Sequence, residues 1–203
     1  MLMDAKAKQA SEMTKATGPR ERLLETASKL FYEQGYKATG INQLIREADI
    51  AKASFYDHFS DKEGLYLAYL EKQLSEWSSA LEKELQKARS EKGEIAAIFS
   101  FLELWMKSEG YRGCAFINSA SEFPNEGSPV RVSVTRAKDA VRGLIKSILK
   151  KHRGDSISKK VLEQLADEIY LLVDGAIVTS QIYQETWPIK RASSIAERVL
   201  AEG

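Results

Sequence analysis

Between Arg20 and Gln34 the apolar residues Leu23, Leu24, Ala27, Leu30 and Phe31 recur every three or four positions, which predicts an amphipathic helix stopped by Gly35. Two much shorter helical patterns follow, over Gly40 to Glu47 and Lys52 to His58. Ile41, Leu44, Ile45 and Ala48 share the inward face of the first, Phe55 and Phe59 anchor the second, and Ile50 plugs the core from the turn between them. Thr39 is placed to cap the first short helix. Ser60-Asp-Lys-Glu63 reads as a capping box that opens a long connector helix over about 61–89. Its Leu67, Leu70, Leu74, Trp77, Leu81 and Leu85 alternate three- and four-residue spacings until Lys92-Gly93 breaks the pattern.

Further helices are expected at about Glu94 to Ser108, Cys114 to Phe123, Ser128 to Lys151, Ile157 to Glu185 and Ile189 to Ala201, separated by glycines and prolines. Val130, Val132 and Val134 alternate briefly, but Ala137, Val141, Leu144 and Ile148 continue at helical spacing, so no strand is expected. The expected fold class is all-α with about nine helices. Residues 1–17 are polar and end at Gly18-Pro19, which suggests a flexible arm carrying Lys6, Lys8 and Lys15. The expected organisation is this arm, a helix-turn-helix domain over 18–66, and a second helical domain over 67–203.

Composition removes several classes of function. With 43% hydrophobic residues the 203-residue chain buries a real core, and its net charge of +1 means that any affinity for nucleic acid must come from locally placed cations. Cys114 is the single cysteine, so neither a disulfide nor a CxxC site is available, and a reducing cytoplasm fits best. The start lacks the apolar core of a signal peptide. Asp174 and Gly175 interrupt the most apolar stretch, so no membrane span is expected. His58 and His152 are the two histidines and no phosphate-cradling glycine loop occurs, so no enzyme, no cofactor and no metal site is expected.

Two short helices joined by a tight turn and held by an apolar helix form a tri-helical unit that places its second short helix in the major groove. Asn42, Gln43, Lys52, Ala53, Ser54, Tyr56, Asp57 and His58 face outward on such a unit. Lys52 adds its charge to the positive end of the helix dipole, which favours a phosphate or a guanine edge. Thr39, Ser54, Tyr56, His58 and Lys62 suit phosphate hydrogen bonds, which set register without reading sequence.

The span Arg20 to Leu67 resembles the TetR family of repressors, above all in Phe31-Tyr-Glu-Gln-Gly-Tyr36, Thr39, Ile50-Ala-Lys-Ala-Ser-Phe-Tyr-Asp-His-Phe59 and Ser60-Asp-Lys-Glu63. The resemblance implies a homodimer with a C-terminal ligand-binding and dimerisation domain, which binds a palindromic operator in double-stranded DNA and releases it when a small-molecule inducer binds. Two positions depart from the family pattern. Asp49 stands where glycine is usual, and aspartate tolerates left-handed geometry; Ala51 replaces a serine or threonine cap, at a cost of about 1 kcal/mol.

The helix Ile157 to Glu185 is apolar on several sides and must be buried on several sides. Together with the last helix it resembles the family's four-helix dimer interface, with Leu172, Gly175, Ala176, Thr179, Ile195 and Val199 as candidate contacts; the other reading is a helix central to its own domain. Trp105, Met106, Phe116 and Phe123, with Tyr111 and the polar Asn118, Asp174 and Gln181, are candidates for a ligand pocket or, equally, for ordinary core. Cys114 begins a helix, where a thiol is activated, or is simply a small buried residue. Two other functions remain open at this point. One is a ligand-independent DNA-binding protein of the same fold acting through a protein partner; the other is a helical interaction module.

Overall fold

In a computed structural model residues 18–202 are described, and the arm expected over 1–17 lies outside them. Nine α-helices and no strand occur among the described residues: α1 (Pro19–Gln34), α2 (Ile41–Glu47), α3 (Lys52–His58), α4 (Lys62–Leu85), α5 (Glu91–Ser108), α6 (Ala115–Glu122), α7 (Pro129–Arg153), α8 (Lys159–Tyr183) and α9 (Trp187–Glu202). A short 3-10 turn, Gly154–Ser156, joins α7 to α8. No described helix is long and apolar enough to cross a membrane.

The chain divides into two compact units, Met1–Gln73 and Leu74–Gly203, so the division falls inside α4. It lies beyond the boundary at residue 66 read from the sequence because Tyr66, Tyr69 and Leu70 are buried with the first unit's aromatic residues. In the first unit α2 and α3 pack against α1. In the second, α8 packs on α7 and α9, and α9 also packs on α5. Its core joins Leu81 of α4, Ile98, Phe99, Leu102 and Met106 of α5, Ile145 and Leu149 of α7, Ile169, Val173 and Ile177 of α8, and Ala192 and Ala196 of α9.

Two helix starts differ from the sequence reading, each because a different side chain does the capping. The Asp61 carboxylate, not Ser60, accepts from the Gly64 amide at 2.7 Å, so α4 begins at Lys62 without a capping box. Ser90 accepts from the Gly93 amide at 3.1 Å, which starts α5 at Glu91 and turns the expected breaker Lys92-Gly93 into part of a first turn.

The carboxylate of Glu94, 5% exposed, ties the C-terminus of α7 to the start of α5. Lys151 Nζ donates to it at 2.6 Å and His152 Nε2 lies 3.0 Å away, while Arg153 Nε and Nη2 donate to Glu91 at 2.7 and 3.1 Å. The arrangement sets acids at a helix N-terminus against bases at a helix C-terminus, so both dipoles favour it. Burial opposes ionisation of Glu94, but hydrogen bonds from Lys151 and His152 outweigh it and hold the carboxyl below the usual glutamate range. A carboxylate with a depressed folded value stabilises the fold above its unfolded value and loses that contribution as pH falls through the folded one. Glu94→Gln is therefore expected to lower the unfolding free energy by about 1–3 kcal/mol at neutral pH. The difference should close as pH falls below the glutamate range; urea melts across that range check it, and a pH-independent difference would contradict the charge assignment.

Candidate DNA-binding surface and effector cleft

In the first unit Leu23, Ala27, Leu30 and Phe31 line the inner face of α1. The Phe31 ring meets Tyr66 edge-on at 4.8 Å, and Tyr66 meets Tyr36 at 5.0 Å. Leu44 of α2 and Phe55 of α3 are fully buried, and both short helices pack on α1. The turn between them passes through Asp49 at φ 50°, the left-handed region that aspartate tolerates. Arg22 of α1 closes it from below: Nε donates to the Ala48 carbonyl and Nη2 to the Asp49 carbonyl, both at 3.3 Å. At the start of α3 Ala51 occupies the cap position and supplies no side-chain hydrogen bond. The first amides of α3 are therefore left without that partner, at the positive end of its dipole.

Along α3 Lys52, Ala53, Tyr56, Asp57 and His58 are exposed and Ser54 is half-buried. Asn42 is exposed on α2, whereas Gln43 is half-buried and donates through Nε2 to Glu47 at 3.0 Å and to Gln34 at 3.3 Å. Two residues assigned to phosphates by sequence are placed otherwise. The Thr39 side chain is fully buried and its hydroxyl donates to the Gly35 carbonyl at 2.8 Å; Gly40, not Thr39, is the cap residue of α2. Gly35, at φ 88°, turns the chain so that this hydroxyl points back at α1. The Lys62 ammonium donates to the carbonyls of Tyr36 and Thr39 at 2.9 and 3.0 Å and lies 4.0 Å from the Tyr36 ring centre. It clamps the α1–α2 loop from the first turn of α4.

In the second unit a partly open cleft of about 300 Å³ lies between α6, α7 and α8. Phe116, Ile117, Ala120 and Val134 form its apolar walls, and Arg131, Thr135, Lys138, Asp139 and Asp174 supply polar groups. Asp174 accepts from Lys138 Nζ and from the Tyr170 hydroxyl, each at 2.8 Å. Burial first, then the Asp174 carboxylate, push the Tyr170 phenol up, so it remains a neutral donor.

Of the expected pocket residues, Phe116 and Asp174 line this cleft; Trp105, Met106, Asn118, Phe123 and Gln181 do not. Met106 is sealed in the core with Trp105 packed beside it, and Gln181 Nε2 reaches Asn118 Oδ1 at 3.4 Å. Gly113 lies at φ 85°, a conformation in which any other side chain is strained. Cys114 is half-buried at the cap position of α6.

The exposed apolar stripe of α8 includes Gly175 of the expected contacts but otherwise runs one residue away from Leu172, Ala176 and Thr179. Leu171, Gly175, Val178 and Ile182 face solvent, continued by the Tyr183–Trp187 ring pair at 5.6 Å. Ala176 is buried in the core of its own unit, Leu172 and Val199 pack against that core, and Thr179 and Ile195 are half-buried. A helix apolar on several faces does not disclose which face its own domain takes. Sequence reasoning also missed Arg22, Arg131 and Lys138. Lys138 carried a readable signal, because bases at 138, 142 and 146 face acids at 163, 167 and 174 across a helical hairpin.

Residues 23–69 match the family model described as bacterial regulatory proteins, tetR family, and residues 94–196 match the tetracyclin repressor-like C-terminal domain. The transcriptional activator FasR of Mycolicibacterium smegmatis is 32% identical over 145 residues, 68% of this chain and 65% of that protein. The transcriptional repressor NemR of Escherichia coli is 24% identical over 90% of this chain and 94% of its own length. Among solved structures, a TetR-family transcriptional regulator from Streptomyces coelicolor superposes with a TM-score of 0.82 at 27% identity, covering 91% of this chain and 95% of that one.

Because Lys62 holds the α1–α2 loop, Lys62→Met should destabilise the first unit by about 1.5–3 kcal/mol, the range for hydrogen bonds to a charged group. Hydrogen exchange should show faster exchange of the amides of α2 and α3. Unchanged exchange with weaker DNA binding would mean that the ammonium serves DNA instead.

Proposed function

The chain belongs to the TetR family of bacterial transcriptional regulators, which are not enzymes, and from this we propose that it is a homodimeric repressor of a palindromic operator, released by a small-molecule inducer. The observation that carries the DNA-binding half is the exposed outward surface of α3, with Lys52 at a helix start whose amides have no side-chain cap and Tyr56 and His58 exposed further along the same helix. Lys52, Ser54, Tyr56 and His58 serve phosphates, while Asn42, Gln43 and Ala53 stand toward base edges. Thr39 and Lys62 act from within, as the supports of α2. Two α3 helices related by a two-fold axis would sit about one helical turn of DNA apart, roughly 34–36 Å.

The dimer surface in this reading is the solvent-facing stripe Leu171, Gly175, Val178 and Ile182 with Trp187. Three large apolar side chains in register on one exposed helix face are costly to leave in water, and Gly175 lets a second helix approach. A self-complementary patch of this kind suits a two-fold contact with a second copy. The repressor sign follows the full-length likeness to a protein named as a repressor, and release by an inducer is supported by the cleft. A ligand-independent regulator would be better served by a domain filled with side chains.

The direct test is a footprint on DNA upstream of the protein's own and neighbouring genes, repeated with candidate metabolites; failure to protect any palindrome would sink the repressor reading. On a protected operator, Lys52→Ala should weaken binding about tenfold and reduce the salt slope by about 2 per dimer, with thermal melting unchanged. Tyr56→Phe should weaken it less. Val178→Glu should yield folded monomers in sedimentation and abolish operator binding, and a dimer that persists would place the interface elsewhere.

A further inference from the structure

The ion pairs between α7 and α8 form an antiparallel ladder. Lys146 meets Glu163 at 3.1 Å, Arg142 meets Asp167, and Lys138 meets Asp174 at 2.8 Å. Each rung takes its base from α7 and its acid from α8. Two turns before Lys138 the next base in this register is Arg131, and two turns beyond Asp174 the α8 residue is Gln181, with Val178 before it. The acid is missing from that rung. Arg131 Nη1 donates to the Ala120 carbonyl at 3.2 Å, and among the described residues no carboxylate meets its guanidinium.

The charges lining the cleft are therefore not equivalent. Asp174 accepts at both oxygens, Oδ1 from Lys138 and Oδ2 from Tyr170, so its charge is compensated from within the protein. Arg131 is half-buried beside the apolar wall of Phe116, Ile117 and Val134, with no carboxylate on its guanidinium among the described residues. A guanidinium whose fork is only partly used binds a carboxylate strongly and with fixed geometry. Asp139 on the exposed rim disfavours a second negative charge, and about 300 Å³ is at the small end of ligand cavities.

Resting on the inducer reading above, we propose that the cleft takes a small amphipathic monocarboxylate, whose carboxylate supplies the missing rung at Arg131 while its apolar body lies against Phe116, Ile117 and Val134. Binding is followed by calorimetry on the full chain with 3-phenylpropionate and octanoate. The amide and amine isosteres, 3-phenylpropionamide and 3-phenylpropylamine, are the controls. Both carboxylates should bind saturably and the isosteres about tenfold more weakly or worse. Arg131→Gln should lose about tenfold in carboxylate affinity, Arg131→Lys should lose less, and Ile117→Trp, which fills the cleft, should lose binding of both carboxylates; circular dichroism confirms that each variant is folded.

An isostere that binds as tightly as its carboxylate, undiminished binding to Arg131→Gln, or no saturable binding by either carboxylate overturns the proposal. Operator binding separates this from the broader reading. If neutral or cationic compounds release the operator and carboxylates do not bind, the ligand class falls and the inducer reading stands. If carboxylates bind at Arg131 and operator affinity is unchanged, the site stands and the inducer reading falls.

Discussion

A seven-residue helix does not persist in water on its own, because nucleation costs more than so few hydrogen bonds return. Both α2 and α3 are of that length, so the surface that meets DNA exists only through what lies beneath it. Phe55 and Leu44 are the fully buried anchors of the two short helices, and the Phe31, Tyr36, Tyr66 and Tyr69 rings form an aromatic cluster in the same unit. Packing leaves the polar ends of the helices to be satisfied, and two cations do so from neighbouring elements. Arg22 takes the carbonyls at the end of α2, and Lys62 takes those of the loop before it. Basic residues next to a DNA-binding helix thus serve two purposes here. Arg22 and Lys62 face the protein's own backbone, whereas Lys52 faces out.

This division explains what could be read in the sequence and what could not. Helical periodicity located all nine helices to within a few residues, and the turn chemistry of Asp49 and the missing cap at Ala51 were legible because each depends on one residue's own geometry. Thr39 and Lys62 meet protein carbonyls, which the sequence did not disclose, for a common reason. A hydroxyl or an ammonium next to a short helix suits a phosphate and a backbone carbonyl equally, and only the path of the chain at Gly35 decides which it meets. Asp61 and Ser60 were likewise both competent caps, and the helix start chose between them. Phase was the remaining blind spot. Alternation between faces is informative when one face is polar, and α8 has too few polar positions to show that Ala176 turns inward while Gly175 and Val178 turn out.

The second unit meets the opposite problem. Helices α7 and α8 each run for 25 residues, and apolar burial between them is nearly indifferent to a slide of one turn. Charges are not indifferent. Arg142–Asp167 and Lys146–Glu163 are about 40% exposed and contribute little to stability, but the Lys138 and Asp174 side chains are 17% and 24% exposed. Slipping α8 by a turn would strand that pair in partly buried surroundings without partners, and an unpaired buried charge is strongly destabilising. One rung therefore sets the register for the whole hairpin.

That rung is also part of the cleft wall, which constrains how any ligand there can act. Sliding α7 along α8 would break the Lys138–Asp174 pair and take the Tyr170 hydroxyl from its acceptor at the same time. Moving α6 relative to α7 leaves that pair intact; among the described residues that line the cleft, Arg131 of α7 donates to the Ala120 carbonyl of α6. A carboxylate on Arg131 competes for that donor. The polar link from α7 to α6 at the cleft is then the one a ligand's charge addresses, so occupancy should reposition α6 against a hairpin whose register stays fixed.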